Sequence, residues 1–219
     1  MTLLKICGLR LPQQAAAIAA LGVDAIGVIA VPNSPRFLEP DQRPELFAAV
    51  EAANPRCRGV LVVADPEARE LAALQAGQGH RVVQLHGSET PQRCRALRAQ
   101  LPGLELWKAL RIRSHDDLEQ VQAYAGVVDA VLLDAWVPGA LGGTGHRIPL
   151  EWLEGFAPPL PWWLAGGIAA STATAALARL QPTGLDASSA LESSPGIKDL
   201  QRVRELVAVV NAPRQDRSD

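Results

Sequence analysis

Two side chains of the sequence could exchange protons with a substrate: the thiol of Cys7 and the carboxyl group of Asp134. Each ends a short apolar segment, in Lys5-Ile6-Cys7-Gly8 and in Val131-Leu132-Leu133-Asp134. A lysine two residues before the cysteine would point to the same side of a strand and favour the thiolate, making Cys7 a usable base or nucleophile. Partial desolvation would raise the pKa of Asp134 towards that of a general acid. The alternatives are a buried structural cysteine and an aspartate that caps the following loop.

Two glycine-containing segments late in the chain could bind a phosphate group. They are Ala165-Gly166-Gly167-Ile168 and Gly184-Leu185-Asp186-Ala187-Ser188-Ser189. Glycine lets the backbone approach a ligand closely, and free N–H groups near a short helix can hold phosphate oxygens. Two ordinary tight turns are the alternative. A third segment, Gly142-Gly143-Thr144-Gly145, suggests a loop that wraps a ligand, although glycine runs are common in loops.

Three more polar side chains follow or end predicted strands. Arg36 lies in the proline-stiffened segment after the second strand, and its guanidinium suits a carboxylate or a phosphate. A solvated surface arginine is the commoner case. Gln84 and His86 lie at the end of the fourth strand, which places an imidazole near the other candidates. A lone histidine in such a position is more often structural than catalytic.

The elements that must position these residues alternate between two types. Short aliphatic runs, several of them apolar almost throughout, are typical of parallel strands covered on both faces. The eight predicted strands comprise residues 3–7, 25–30, 59–63, 81–85, 106–109, 130–133, 162–165 and 184–187. Between them lie predicted helices, including residues 13–21, 40–53, 66–75, 91–100, 115–124 and 171–180.

Eight strand–helix units in one chain predict an α/β fold, a single (β/α)8 barrel, because a closed sheet has no exposed edge. An open, doubly wound sheet is the alternative. The barrel is expected to span residues 1–211, with the polar segment 212–219 as a frayed tail. In such a barrel the loops after the carboxyl ends of the strands build the active site. The side chains named above would then surround one mouth.

Local signals mark several helix ends. Asp65-Pro66 and Thr90-Pro91 each pair an N-cap residue with proline at the first helical position. Glycine in a left-handed conformation often ends a helix. Four glycines follow predicted helical runs and are expected in that conformation: Gly22, Gly77, Gly103 and Gly126.

The composition is that of an ordinary globular domain. Of 219 residues, 48% are apolar and 20% are charged, with a formal net charge of −2. This balance gives no reason to expect nucleic acid or an anionic membrane as a partner, and no apolar run approaches the ~20 residues of a membrane-spanning helix. Cys7, Cys57 and Cys94 are widely spaced, which argues against a disulfide framework or a zinc site. Without a signal-peptide pattern, we expect a cytoplasmic protein with free thiols.

In their order along the chain, these motifs resemble those of the phosphoribosylanthranilate isomerase family. The resemblance covers nearly the whole sequence, and seven or so motifs in register are hard to obtain by chance. Besides the two phosphate-type glycine segments and Gly142-Gly143-Thr144-Gly145, the matching motifs are Lys5-Ile6-Cys7-Gly8-Leu9, Ser34-Pro35-Arg36-Phe37, Val83-Gln84-Leu85-His86-Gly87, Leu132-Leu133-Asp134 and Ser194-Pro195-Gly196-Ile197-Lys198-Asp199.

The resemblance implies an isomerase of tryptophan biosynthesis that catalyses the Amadori rearrangement of N-(5-phosphoribosyl)anthranilate, with no metal and no other cofactor. Asp134 would be the general acid that opens the sugar ring, and Cys7 the general base that removes the C2 proton. Arg36 would hold the anthranilate carboxylate, and Asp186 would bind a sugar hydroxyl. The remaining implied substrate-binding residues are Gln84, His86, Gly166, Gly167, Ala187, Ser188 and Ser189.

The sequence departs from the family pattern at Ala190, where glycine is usual, at Ile168, where leucine is commoner, and at the end of the third strand, where Val62-Val63-Ala64-Asp65 replaces a phenylalanine-containing segment. The methyl group of Ala190 would weaken phosphate binding if the backbone needed a glycine conformation, whereas a right-handed helical conformation would tolerate it. Both outcomes, weakened phosphate binding and no effect on it, therefore stay open for Ala190.

Other functions remain as alternatives. Indole-glycerol-phosphate synthase would need further lysines and a glutamate at strand ends, and a metal-dependent epimerase would need converging histidines and aspartates; the sequence offers neither set. A phosphate-binding barrel without activity is disfavoured by the intact Cys7 and Asp134. We expect a small phosphosugar as the partner, no nucleic acid, no membrane, and a monomer or homodimer.

Overall fold

A closed barrel of eight parallel strands forms the centre of the molecule. The structure is a computed structural model that describes residues 1–135 and 146–212. The strands are Leu3–Cys7 (β1), Ala25–Ile29 (β2), Arg58–Val63 (β3), Val82–Leu85 (β4), Glu105–Ile112 (β5), Ala130–Ala135 (β6), Trp162–Leu164 (β7) and Gly184–Ala187 (β8). They pair in sequence order, and β8 closes the barrel against β1, with Lys5 opposite Asp186. The predicted barrel is confirmed, and the open sheet is wrong.

The barrel has two apolar layers because successive strand residues point alternately inward and outward. The outward side chains join a large cluster with the surrounding helices. The interior is filled by smaller side chains and by Trp107 and Trp163, whose ring centroids are 4.7 Å apart. Trp163 is paired with Gly184, where a Cβ atom would lie 2.3 Å from the indole. The indoles fill the end where β6 and β8 begin, which leaves the opposite end for polar residues.

Helices cover the outside of the barrel. The α-helices are Pro12–Ala19 (α1), Arg43–Ala53 (α2), Pro91–Gln100 (α3), Ala170–Arg179 (α4) and Leu200–Asn211 (α5). Two longer connections, Ala68–Leu74 and His115–Tyr124, are 3-10 helices. The four glycines predicted to end helices all have positive φ angles, between 69° and 92°.

The two predicted N-caps have different outcomes. Thr90 caps α3, since its Oγ1 accepts a 3.2 Å hydrogen bond from the N–H of Arg93. The predicted cap at Asp65 is wrong, because the following helix begins only at Ala68. Asp65 instead has a φ of 48° and accepts a 2.8 Å hydrogen bond from the N–H of Ser88, which joins the ends of β3 and β4.

A small substructure after β8 is absent from the sequence-based prediction. It consists of the 3-10 turn Ser189–Leu191 and two short antiparallel strands, Glu192–Ser194 (β9) and Ile197–Lys198 (β10). Asp199 then caps α5 by accepting a 2.9 Å hydrogen bond from the N–H of Gln201. The hairpin lies directly beyond the barrel mouth and contributes side chains to it.

Some expectations concern residues outside the described part of the chain. The segment Gly142-Gly143-Thr144-Gly145 is one of them, and residues 213–219 of the expected tail are another. The domain limits of 1–211 stay a prediction. In the structure, the last helix, α5, ends at Asn211. Among the residues that the structure describes, no helix has the length and apolar character required to cross a membrane.

Candidate active site

The mouth at the carboxyl ends of the strands brings the candidate residues together. Cys7 ends β1, Asp134 lies one residue before the end of β6, and Asp186 lies in β8. His86 and Ser188 directly follow β4 and β8. Because parallel strands of a barrel end at one rim, all five lie on the same side of the indole layer.

Lys5 connects the thiol to the carboxylate of β8. Its ammonium is fully buried and donates a 2.9 Å hydrogen bond to Asp186 Oδ1. Burial alone would lower the pKa of Lys5, but the negative charges of Asp186 and Cys7 outweigh that cost, so the pKa is raised. Lys5 is therefore a fixed positive charge between the two groups.

The Cys7 thiol is 5% exposed, and burial raises its pKa more than the attraction of Lys5 lowers it. The expectation that Lys5 would bring the pKa of Cys7 below its ordinary value is therefore wrong in its net direction. All three cysteines are free, as predicted. Burial raises the pKa of Cys57 to about 12 and that of Cys94 to about 11.

The Asp134 carboxylate is contacted on two sides. Its Oδ1 accepts a 2.9 Å hydrogen bond from the N–H of Ala135, and its Oδ2 lies 3.6 Å from Nε2 of His86. Nδ1 of His86 lies 3.1 Å from Nε2 of Gln84. Within the described part of the chain, neither His86 Nε2 nor Gln84 Oε1 has a hydrogen-bond partner. These buried atoms can therefore bind polar groups of a ligand beside Asp134.

Arg36 reaches the mouth from the loop after β2, and its guanidinium already forms an ion pair with a carboxylate of the protein. Its Nε and Nη2 donate hydrogen bonds of 2.9 Å and 2.7 Å to the two carboxylate oxygens of Glu192 in β9. Nζ of Lys198 lies 2.6 Å from Glu192 Oε1, so one carboxylate joins two cations. Burial alone would raise the pKa of Glu192, but the hydrogen bonds from Arg36 and Lys198 outweigh it and the pKa is lowered.

The turn after β7 runs beside Asp134. Gly166 and Gly167 have φ angles of 91° and 61°, a region that strongly favours glycine. A Cβ atom on Gly166 would lie 2.5 Å from the carbonyl oxygen of His146 and 3.4 Å from Asp134 Oδ1. Glycine is therefore required by the positive φ and by the carbonyl of His146, and it lets the turn run beside Asp134.

The turn after β8 forms the other half of the predicted phosphate site. Ala187 is fully buried, and Ser188 donates a 3.0 Å hydrogen bond from Oγ to the carbonyl oxygen of Cys7. Ser189 begins a 3-10 turn, whose first N–H groups have no partner inside the turn. Ala190 lies within this turn and has no positive φ, so its methyl group causes no backbone strain.

Comparison with known proteins identifies the family of the chain. The family model described as N-(5'phosphoribosyl)anthranilate (PRA) isomerase matches residues 4–209. The chain belongs to the PRA isomerase family. It is 48% identical over 203 residues to the PRA isomerase of Synechococcus elongatus, covering 93% of each chain. The crystal structure of the Thermus thermophilus PRA isomerase is similar at 30% identity and a TM-score of 0.81, covering 95% of this chain and 98% of that one.

A further solved PRA isomerase, in complex with reduced 1-(o-carboxyphenylamino)-1-deoxyribulose 5-phosphate, has the same fold at 24% identity. Its TM-score is 0.77, and the match covers 95% of this chain and 97% of that one. The family and the barrel predicted from the sequence motifs are thus confirmed. The roles of the individual site residues stay predictions.

Two residues of this site were missed from the sequence. A Cβ atom on Gly27 would lie 2.6 Å from Cys7 Sγ, so β2 provides the space for the thiol. A lone glycine within an apolar strand is a signal of such close approach. Glu192 was also missed, although it is the only acidic residue between Asp186 and Asp199.

The described part of the chain shows no grouping of metal ligands. Among residues 1–135 and 146–212, no set of three or more His, Cys, Asp or Glu side chains could hold a metal ion. The expectation of a reaction without metal or cofactor stays a prediction that chelation can test.

Proposed function

We propose that the chain isomerises N-(5-phosphoribosyl)anthranilate to 1-(2-carboxyphenylamino)-1-deoxyribulose 5-phosphate, a step of tryptophan biosynthesis. The observation that carries this proposal is a buried thiol and a buried carboxylate at one barrel mouth in a chain of the PRA isomerase family. An aldose–ketose rearrangement needs one group that donates a proton and one that removes a proton from carbon. Cys7 and Asp134 are suited to these two tasks.

Asp134 is the general acid in this proposal. In its protonated form it gives a proton to the furanose ring oxygen, the C1–O bond breaks, and the nitrogen lone pair forms an iminium with C1. The side chain is 6% exposed, so little water competes for the proton. His86 Nε2, 3.6 Å from Oδ2, supports the carboxylate once the proton has left.

Cys7 is the general base. The iminium acidifies the C2 proton, so a thiolate is basic enough to remove it. The C–H electron pair becomes the C1=C2 bond and the nitrogen recovers its lone pair. The enolamine then becomes the ketone as C1 gains a proton from Cys7 and the C2 hydroxyl returns one to Asp134. Lys5 opposes the cost that burial places on the thiolate.

Substrate binding follows the same arrangement. Arg36 holds the anthranilate carboxylate through charge-assisted hydrogen bonds. Asp186 accepts a hydrogen bond from a sugar hydroxyl, and the unpartnered atoms of Gln84 and His86 support polar groups near Asp134. The phosphate group is bound by the two turns after β7 and β8, through Gly166, Gly167, Ala187, Ser188 and Ser189.

The direct test is turnover of freshly generated N-(5-phosphoribosyl)anthranilate, followed by the fluorescence of its anthranilate group in the presence of EDTA. Rapid decay of the signal supports both the isomerase and a reaction without metal. No decay with a folded protein would contradict the proposal and point to another phosphosugar.

Variants assign the two proton-transfer roles. We expect Cys7→Ala and Asp134→Asn each to lower kcat by at least about a hundredfold, since a positioned acid or base contributes roughly 10²–10⁴. Both should still bind the reduced product analogue and unfold at temperatures near that of the wild type. Cys94→Ala, which removes a buried thiol outside the mouth, is the matched control. Near-normal kcat in either site variant would remove that residue from the mechanism.

The wider biological setting rests on the same proposal. A small phosphosugar is the partner, the reaction takes place in the cytoplasm, and the working unit is a monomer or homodimer. Size-exclusion chromatography with light scattering distinguishes the last two.

A further inference from the structure

The Arg36 guanidinium is used along only one of its two paired N–H edges. The Nε–Nη2 edge is bonded to Glu192, at 2.9 Å and 2.7 Å. No hydrogen bond from Nη1 is found within the described part of the chain. Because a guanidinium carries five donors in a rigid plane, the outer Nη1–Nη2 edge can bind a second carboxylate side-on.

The cluster around Arg36 is buried and carries a net positive charge. The exposed fractions of the Arg36, Glu192 and Lys198 side chains are 10%, 5% and 0%. Two cations face one carboxylate, which also accepts a 3.1 Å hydrogen bond from the N–H of Gly196. Among the described residues of this cluster, one positive charge is therefore left without a matching anion. A buried charge in this state favours binding of an anionic group.

The cluster lies directly beside Cys7. Gly8 has a φ of 81°, and a Cβ atom on it would lie 2.5 Å from Cδ of Arg36. The Arg36 stem thus crosses the backbone immediately after Cys7, in space that only glycine leaves open. Lys198 Nζ also lies 3.3 Å from the carbonyl oxygen of Ser188, at the end of β8. The hairpin, the loop after β2 and the end of β1 meet at this point.

We propose that Glu192 is a positioning residue for Arg36. It holds the Nε–Nη2 edge of the guanidinium, so that the outer Nη1–Nη2 edge is presented to the anthranilate carboxylate beside Cys7. This inference rests on the proposed function. Glu192 does not touch the substrate; it sets the plane of the guanidinium. Lys198 offsets the charge of Glu192, so that the cluster still attracts an anion.

Glu192→Asp is the decisive variant, because it keeps the negative charge but is one methylene shorter and cannot reach both Arg36 and Lys198. Two stable probes are used: reduced 1-(o-carboxyphenylamino)-1-deoxyribulose 5-phosphate, and its phenylamino counterpart without the carboxyl group. We expect the Kd of the first to rise about tenfold, equivalent to ~1.4 kcal/mol. The Kd of the second should change less than about twofold. KM for the substrate should rise with little change in kcat, the sign of lost binding.

Two further variants complete the design. Glu154→Asp shortens a glutamate that pairs with Arg179 at 2.8 Å on the exposed surface, and it should change neither Kd. Arg36→Lys keeps the cation but lacks a second N–H edge, and it should show the same selective loss. Adding Glu192→Asp to Arg36→Lys should then cause no further selective loss, because both act through one edge.

Each other outcome has a defined meaning. Equal weakening of both probes would make Glu192 merely structural, and tighter binding of the carboxylate probe would make it a competitor of the substrate. Either result overturns the inference, as does an unchanged Kd in folded Glu192→Asp. If that variant does not fold in thermal melts, Glu192→Gln decides the same question, because it keeps the side-chain length but can accept from Arg36 through only one oxygen. Absence of turnover in the wild type would overturn the proposed function itself, whereas normal turnover without selective loss overturns only the role of Glu192.

Discussion

Two opposing effects act on the pKa of Cys7: the positive charge of Lys5 lowers it and burial raises it. The ammonium favours the thiolate, but both groups are buried and the thiol lies in an apolar surrounding, so the pKa of Cys7 is raised. The two-residue spacing correctly predicted that Lys5 lies beside Cys7, but it predicted the wrong direction for the net shift of the Cys7 pKa. Burial is a property of the closed barrel, and a two-residue spacing does not report it.

Alkylation of Cys7 tests this direction. Because the thiolate is the reactive form and the pKa of Cys7 is raised, the rate with iodoacetamide should increase about tenfold per pH unit from pH 7 to pH 9. Peptide mass spectrometry follows the three cysteines separately, with Cys57 and Cys94 as buried internal references. A plateau in the Cys7 rate below pH 8 would show a lowered pKa instead.

Gly27 provides a second test at the residue scale. In Gly27→Ala the new Cβ atom would lie 2.6 Å from Cys7 Sγ and 3.1 Å from its Cα, so the thiol must move. We expect kcat to fall by at least about tenfold, since displacements near 1 Å can cost about a hundredfold. Gly126→Ala is the control: its φ of 69° makes it strained, but the space around it is open. An unchanged kcat in Gly27→Ala would mean that the site tolerates a shifted thiol.

At the scale of elements, the strands were predictable because parallel barrel strands are apolar on both faces. β1 and β8 agree with the prediction at both ends, whereas β5 continues to Ile112, three residues further. The helix type was harder to predict. The 115–124 segment buries Leu118, Val121 and Tyr124, a spacing of three that fits the 3-10 helix observed there.

The β9–β10 hairpin could not be predicted from local pattern. Its main contribution to the site is the pair between Arg36 and Glu192, which are 156 residues apart in sequence. Nothing near either residue signals this contact, because it depends on the closure of the whole sheet. Arg36 could therefore be placed at the mouth, but the residue that fixes its orientation could not.

Because the pKa of Glu192 differs between the folded and unfolded states, its contribution to the free energy of unfolding depends on pH. Its folded-state pKa is lowered, so its stabilising effect is complete above the unfolded value, about 4.3, and is lost as pH falls through the folded value. Near pH 7, Glu192→Gln should lower the free energy of unfolding by roughly 3 kcal/mol, typical of a broken buried pair. The difference from the wild type should shrink as pH falls from about 5 to 3.

Urea denaturation at each pH measures that difference. Glu51→Gln, which removes an exposed pair with Arg81, serves as the control and should change little at any pH. A difference for Glu192→Gln that stays constant down to pH 3 would show that the carboxylate charge is not what stabilises the hairpin.

At the scale of the whole molecule, a second buried pair joins three neighbouring strand ends. Nζ of Lys108 in β5 lies 2.8 Å from Glu89 Oε2 and donates a 2.9 Å hydrogen bond to the carbonyl oxygen of Gly87. Glu89 Oε1 accepts hydrogen bonds from the N–H groups of Asp65, at 2.6 Å, and Gly87, at 3.2 Å. The exposed fractions of the two side chains are 2% and 0%. The pair thus fastens the rim formed by β3, β4 and β5.

Glu89→Gln should therefore destabilise the barrel without changing the chemistry. The variant leaves the charge of Lys108 buried with carbonyl partners but no counter-charge, and we expect the free energy of unfolding to fall by about 3–5 kcal/mol. Activity per folded molecule should stay near that of the wild type. Glu154→Gln, which breaks the exposed pair with Arg179, should cost about 0–1 kcal/mol. A similarly small loss for Glu89→Gln in urea would contradict this role.

The seam between β1 and β8 also determines when the protein can first work. Lys5 and Asp186 are 181 residues apart, so at a synthesis rate of about 5–20 residues per second roughly 10–35 s separate their translation. During that interval β1 has an unpaired edge and Lys5 lacks its counter-charge. Cys7 in β1 is thus made well before Asp186 in β8, which completes its surroundings. A chain that still lacks β8 therefore cannot close this seam or complete the candidate site.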